Sequence, residues 1–251
     1  MKATCFLMLA TLAAATTNAA PLVFQSSGRQ PSLLELYTSE GCSSCPPAET
    51  WLSGLKNSPR LWSDFVPVAF HVDYWNYLGW RDPWSQAEFS DRQRAYAQTW
   101  NAQNIYTPEF VLNGREWSHG FWQKTVPAAA ETGAGTLKVS SDDTTHWQLS
   151  FVPARNEKTT YEIHAALLVS GVSSDVKAGE NAGRQLKHDF VAIVFTELPL
   201  VSRTNVFSST FALEAKIKPG EGRRALAVWI TAHGKAEPVQ ATGGWLESLE
   251  K

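Results

Sequence analysis

The chain has 251 residues, 43% of them hydrophobic, and a formal net charge of −2 from 22 basic and 24 acidic side chains. That length exceeds one average domain, and the apolar fraction is ample for a core. The near-neutral, mixed-sign balance offers no basic surface for nucleic acid or for an anionic membrane.

Residues 1–19 read as a signal peptide. Lys2 gives a positive start, Phe6 to Ala15 is apolar, and Thr17-Asn18-Ala19 resembles a small-residue cleavage site. Cleavage after Ala19 predicts a secreted or periplasmic protein and removes Cys5, so the mature chain keeps only Cys42 and Cys45. An oxidising compartment lets a disulfide between them persist. No later segment reads as transmembrane, so no membrane association is expected after cleavage. Residues 20–30 read as a loose leader.

Leu33, Leu34, Leu36 and Tyr37 form an apolar run of strand length, followed by turn-forming Ser39 and Gly41. Ala48, Trp51, Leu52 and Leu55 then fall on one face of a helix that Asn57 and Pro59 end. Pro46 and Pro47 are tolerated only near that helix's start. Cys42 and Cys45 therefore sit at a helix N-terminus, where unpaired amides and the helix dipole favour a thiolate. Val66 to Val72 alternates as a second strand. A helix is expected over Ser85 to Gln103, with a Ser85/Glu88 capping box and Phe89, Tyr96 and Trp100 on one face. Thr107 to Leu112 leads a third strand into the hairpin signal Asn113-Gly114, with Arg115 to Ser118 as partner strand. A last helix is expected over Phe121 to Glu131. This β-α-β-α-β-β-α order, over residues 31–133, matches a minimal thioredoxin fold.

Eight of the eleven tryptophans fall before residue 125, and after Gly133 and Gly135 the character changes. Strand-like runs at Leu137 to Ser140, Trp147 to Val152, Tyr161 to Val169, Phe190 to Thr196, Thr210 to Ala215 and Ala225 to Ala232 predict a mostly-β, sandwich-like domain over residues 136–251. The expected fold class is thus an α/β thioredoxin-like domain followed by a mostly-β one.

Several stretches resemble a family of exported bacterial proteins known as domain of unknown function 1223. They are L-Y-T-S-E-G-C-S-S-C-P-P-A-E, F-H-V-D-Y-W-N-Y-L-G-W-R-D-P, R-Q-R-A-Y, Y-T-P-E-F-V-L-N-G and, from Gly179 to Val191, G-E-N-A-G-R-Q-L-K-H-D-F-V. The resemblance implies a thioredoxin-like domain joined to a β-rich one, with no established activity. Glu40, Asn76 and Glu109 stand where the family pattern suggests Gln, Asp and Gln.

Cys42-Ser43-Ser44-Cys45 admits three readings: a redox-active pair, a structural disulfide, or half of a metal site. So short a loop restrains the unfolded chain little, which favours chemistry over structure. In thioredoxin-like proteins the first cysteine is an exposed nucleophile and the second resolves the mixed disulfide; the resemblance implies those roles for Cys42 and Cys45. Pro108 after Thr107 resembles the cis-proline loop that faces the cysteines, whose preceding backbone pairs with substrate. The alternative is an ordinary trans proline entering an edge strand. His71 and Asp73 share one side of the second strand and suit a proton relay, or else a hydrogen-bonded core histidine and a turn-capping carboxylate. Tyr74, Trp75, Tyr77, Trp80 and Trp84 follow, as an aromatic shelf for a peptide-like partner or as a small core between the halves. Glu40 beside the cysteines opposes thiolate formation.

In the β half, Gly179-Glu180-Asn181-Ala182-Gly183-Arg184 reads as a tight turn with a local Glu180–Arg184 pair. A metal at the cysteines needs two further ligands, with only His71 near, so no metal and no cofactor is expected. The reading is an exported thiol–disulfide oxidoreductase acting on protein or peptide thiols and disulfides. Its rivals are a binding or structural protein with a permanent Cys42–Cys45 disulfide, and a metal-binding chaperone.

Overall fold

A computed structural model of the chain describes residues 20–117, 125–131, 133–155, 159–215 and 222–246. Residues 1–19, expected to be a signal peptide, lie outside them. Strand β1, Leu22–Gln25, occupies the expected leader, and β2, Ser32–Thr38, leads into α1, Pro46–Gly54. Next come β3, Phe65–His71, helix α2, Ala87–Thr99, and the hairpin of β4, Glu109–Leu112, with β5, Arg115–Glu116. The second half adds β6, Thr136–Ser141, β7, His146–Val152, β8, Tyr161–Ser170, β9, Val172–Asp175, and β10, Gln185–His188. It closes with β11, Val191–Pro199, β12, Val201–Arg203, β13, Val206–Ala212, β14, Arg223–Ala232, and β15, Pro238–Trp245.

The expected fold class, an α/β thioredoxin-like domain followed by a sandwich, does not hold. The protein is mostly β, with two α-helices among the described residues. Eight strands from both halves form one mixed sheet in the order β15-β14-β8-β11-β3-β2-β4-β5. The seam is parallel: Val191 of β11 registers with Ala69 of β3, and Ala69 N donates to Phe190 O at 2.8 Å. An antiparallel five-stranded sheet, β1-β6-β7-β13-β12, packs over one end.

The reason lies in β8 and β14, which are buried on both faces. Ile163, Ala165 and Leu167, with Leu226, Val228 and Ile230, pack towards Leu137, Trp147, Leu149 and Phe151 of the five-stranded sheet. The alternate residues Ala166, Leu168, Ala225, Ala227 and Trp229 join Leu33, Leu36, Phe70 and Phe89 in the other core. A strand apolar on both faces gives a continuous run, and such a run does not say which sheet it joins.

Two further expectations change. The Ser85/Glu88 capping box does not form: Gln86 occupies the N-cap of α2 without a side-chain cap, and Ser85 Oγ donates to Asp82 O at 2.8 Å. Of the helix expected over Phe121 to Glu131, residues 121–124 lie outside the described residues. The remainder is irregular and joins the fold through reciprocal bonds between Ala130 and Gln30.

Candidate functional site

The turn after β2 carries Ser39-Glu40-Gly41 into Cys42 and Cys45, which form a disulfide across the start of α1. Gly41 is required by close approach, since a Cβ there would lie 2.8 Å from Trp75 Cβ. Cys45 is the N-cap, and prolines fill the first two helical positions, where no N–H is missed. Both cysteines are buried, Cys42 at 1% and Cys45 at 0% exposure. The exposed Cys42 that the resemblance implies is therefore corrected: Thr107 O and Ser44 Oγ lie beside its sulfur, and a roof contributed by the β half holds the backbone of the turn.

That roof is the Gly179–Arg184 loop. Fully buried Asn181 donates from Nδ2 to Glu40 O at 2.8 Å and to Cys42 O at 2.9 Å. Arg184 Nη1 holds Asn181 Oδ1 at 2.6 Å, and Glu180 accepts from Ser43 N at 2.9 Å. Hydrogen bonds from the Ser43 side chain and backbone lower the Glu180 carboxyl pKa. In place of the local Glu180–Arg184 pair expected from sequence, Glu180 reaches Ser43 across the molecule and Arg184 holds Asn181 within the loop.

On a second side stands the Thr107–Pro108 loop. Its peptide bond is cis, and Thr107 O lies 3.7 Å from Cys42 Sγ. Trp75 Nε1 donates to Thr107 Oγ1 at 2.8 Å, fixing the loop against the aromatic segment. Trp80 Nε1 donates to Glu40 Oε2 at 2.7 Å. Trp84 Nε1 reaches Ser174 Oγ of β9, whereas Tyr77 is 79% exposed.

One turn along α1 from Cys45 begins a buried cluster of titratable groups. Thr38 Oγ1 donates to Glu49 Oε1 at 2.5 Å, and Glu49 Oε2 meets His188 Nδ1. His188 Nε2 bonds Glu40 Oε1 at 3.0 Å, so its ring bridges two carboxylates. Burial opposes the His188 charge, yet the hydrogen bonds to Glu40 and Glu49 outweigh it and push the pKa up to about 10. Burial likewise opposes ionisation of Glu49, and the His188 bond overcomes it, lowering that pKa. The Glu40 charge next to the cysteines is therefore matched by a cation on its inner side.

His71 packs edge-to-face on His188, with ring centroids 5.0 Å apart. Its Nδ1 pairs with Asp82 Oδ2 at 2.7 Å, and Asp82 also accepts from Glu40 N and Trp84 N at 2.9 Å each. Those contacts, led by the charge interaction with His71, lower the Asp82 pKa against the cost of burial. His71 Nε2, fully buried, has no hydrogen-bond partner among the described residues.

Of the expected site residues, Cys42, Cys45, Thr107, Pro108, Trp75, Trp80 and His71 are brought together. Asp73 is not among them, because Ser90 of α2 holds its carboxylate at 2.5 Å and its N–H at 3.1 Å. Glu49, Asp82, Asn181 and His188 are the members that sequence reasoning missed. Each lies inside a stretch that carried the family resemblance, and that was the available signal.

A sequence profile described as "Protein of unknown function (DUF1223)" matches residues 33–231. A crystal structure of an Agrobacterium tumefaciens protein is similar, with a TM-score of 0.56 at 22% identity, over 88% of this chain and 95% of that one. HBP35 of Porphyromonas gingivalis is similar with a TM-score of 0.61 at 13% identity, over 90% of this chain and 78% of that one. At those identities the likeness is one of fold. No curated protein matches the chain.

Proposed function

The chain belongs to the DUF1223 family of unknown function, and from that premise we propose that it is an exported protein carrying out thiol–disulfide exchange at Cys42–Cys45. The observation that carries the reading is the disulfide across the first turn of α1, with Thr107 O 3.7 Å from the Cys42 sulfur.

In the oxidised form a substrate thiolate attacks Cys42 Sγ, a mixed disulfide forms, and Cys45 leaves as a thiolate. Attack of the Cys45 thiolate on that mixed disulfide reverses the step. A second substrate thiolate instead releases the substrate as its own disulfide and leaves both cysteines reduced. The α1 N-terminus favours the departing Cys45 thiolate. Protein or peptide thiols and disulfides in a secreted or periplasmic setting are the partners. The Thr107 backbone lies beside the Cys42 sulfur, and Trp75 and Trp80, bonded to Thr107 and Glu40, are the rings proposed to receive the partner.

Burial of both sulfurs favours a second reading, in which the disulfide is permanent and the protein binds or supports without exchange. Equilibrating the mature protein with glutathione separates the two. Exchange predicts a reduction potential well above about −300 mV, the region of structural disulfides. It also predicts that Cys45→Ser accumulates mixed disulfides through Cys42. A potential below that region, with no glutathione adduct, assigns the disulfide to structure.

A further inference from the structure

Glu49, His71 and His188 come from α1, β3 and β10, yet their ligand-capable atoms all lie within 4.8 Å of one another, and all three residues are buried. Some point lies within about 2.8 Å of three atoms so spaced, a small side-chain shift from the ~2.0–2.2 Å bonds that zinc makes to imidazole and carboxylate. Each imidazole is oriented by a carboxylate. Asp82 accepts from His71 at Nδ1, and Glu40 takes Nε2 of His188. His71 Nε2 is then the ring atom left over, buried and without a hydrogen-bond partner among the described residues. His188 Nδ1 is the ring atom that meets Glu49. Carboxylates that fix the tautomer of paired imidazoles are the usual outer partners of histidine metal ligands.

We propose that Glu49, His71 and His188 form a binding site for a divalent transition-metal ion of the zinc type, beside and independent of the Cys42–Cys45 pair. Two imidazoles and one carboxylate suit such an ion better than calcium or magnesium, which prefer oxygen donors throughout. The ion replaces the proton shared between His188 Nδ1 and Glu49, and that proton leaves to solvent. Asp82 and Glu40 are positioning residues, acting through the two rings. The site does not depend on whether the cysteines exchange disulfides, because neither sulfur is among its donors.

The test uses the mature, oxidised protein stripped with EDTA and titrated with CoCl2, then ZnCl2. One equivalent of Co2+ should bind with visible ligand-field bands and no thiolate charge-transfer band, and Zn2+ should displace it. His71→Ala and Glu49→Gln should each weaken binding by more than tenfold. Asp82→Asn, which removes no ligand, should weaken it by about 10–100-fold, the usual loss for an outer partner. Should these variants fail to fold, the proton spectrum of the wild-type Co2+ complex decides. Two strongly shifted exchangeable ring N–H signals are expected, from His71 Nδ1 and His188 Nε2. No stoichiometric Co2+ binding, fewer than two shifted signals, or loss of binding in the Cys42→Ser/Cys45→Ser double variant would each overturn the proposal.

Discussion

Two buried ionic clusters tie the two helices to the strands, and they are built on different cations. Below α2, Arg92 gives Nε and Nη2 to Glu35 Oε1 at 2.9 and 2.6 Å, Nη1 to Glu197 at 2.9 Å and Nη2 to Tyr96 Oη at 2.9 Å. Its guanidinium also lies over the rings of Phe70, Tyr96, Phe195 and Trp229. Below α1 the cation is His188, held between Glu40 and Glu49. A guanidinium stays charged at every accessible pH and fixes several acceptors in a plane, whereas an imidazolium can lose its proton or exchange it for a metal.

Each cluster holds a buried charged or titratable side chain with an atom that has no hydrogen-bond partner among the described residues, Glu35 Oε2 in one and His71 Nε2 in the other. The first belongs to a carboxylate already neutralised by arginine; the second belongs to an imidazole, the side chain that most often ligates a metal. The Arg92 cluster therefore reads as a lock, even though it borders a cavity of about 600 Å3 lined by His164 and Glu197. The His188 cluster is the chemically open one.

The largest expected effect tests the lock. Arg92→Met strands Glu35 as an unpaired, fully buried carboxylate and should cost about 3–5 kcal/mol in denaturant unfolding. A loss below about 1 kcal/mol would mean that Glu35 relaxes to water, and the contrast between the clusters would weaken.

A smaller effect is expected from the roof over the cysteines. Asn181→Ala removes the donor to two buried carbonyls and should cost about 1–3 kcal/mol. It should also speed reduction of the Cys42–Cys45 disulfide by dithiothreitol. Unchanged reduction kinetics in a destabilised variant would show that the loop stabilises the second cluster without guarding it.

An effect confined to a pH window concerns Glu109, which follows Pro108 and accepts from Gln93 of α2. Burial, against the Gln93 bond, raises its carboxyl from 4.5 to about 7. Between those values the unfolded chain has already lost the proton that the folded one keeps. Stability should therefore fall as pH rises from 4.5 to 7 and level off above. Glu109→Gln should flatten that segment and be the more stable form at pH 8, as read from paired melting curves. A parallel pH profile for both proteins would remove Glu109 as the cause.

Local features were legible because their signals are local. A strand, a glycine turn and two prolines placed the cysteines at a helix start, and the structure has them there. Strand-like runs likewise marked β3, β7 and β8 within a residue or two of their observed ends. Helix capping was misjudged because Ser85 bonds back to Asp82, a competing turn that the Ser-x-x-Glu spacing does not record.

What the sequence determined by itself was the segments: which runs extend, where α1 starts, and that Cys42 and Cys45 lie one turn apart. Tertiary structure decided how those segments share a sheet and which charges meet. β8 and β14 are apolar on both faces, so their pattern could not say that they extend the sheet of β2 and β3 instead of closing a separate sandwich. His188 meets Glu49 across 139 residues and Glu40 across 148. No periodicity encodes such a meeting, because a buried ion pair is specified by the approach of distant backbones and not by the spacing of neighbours.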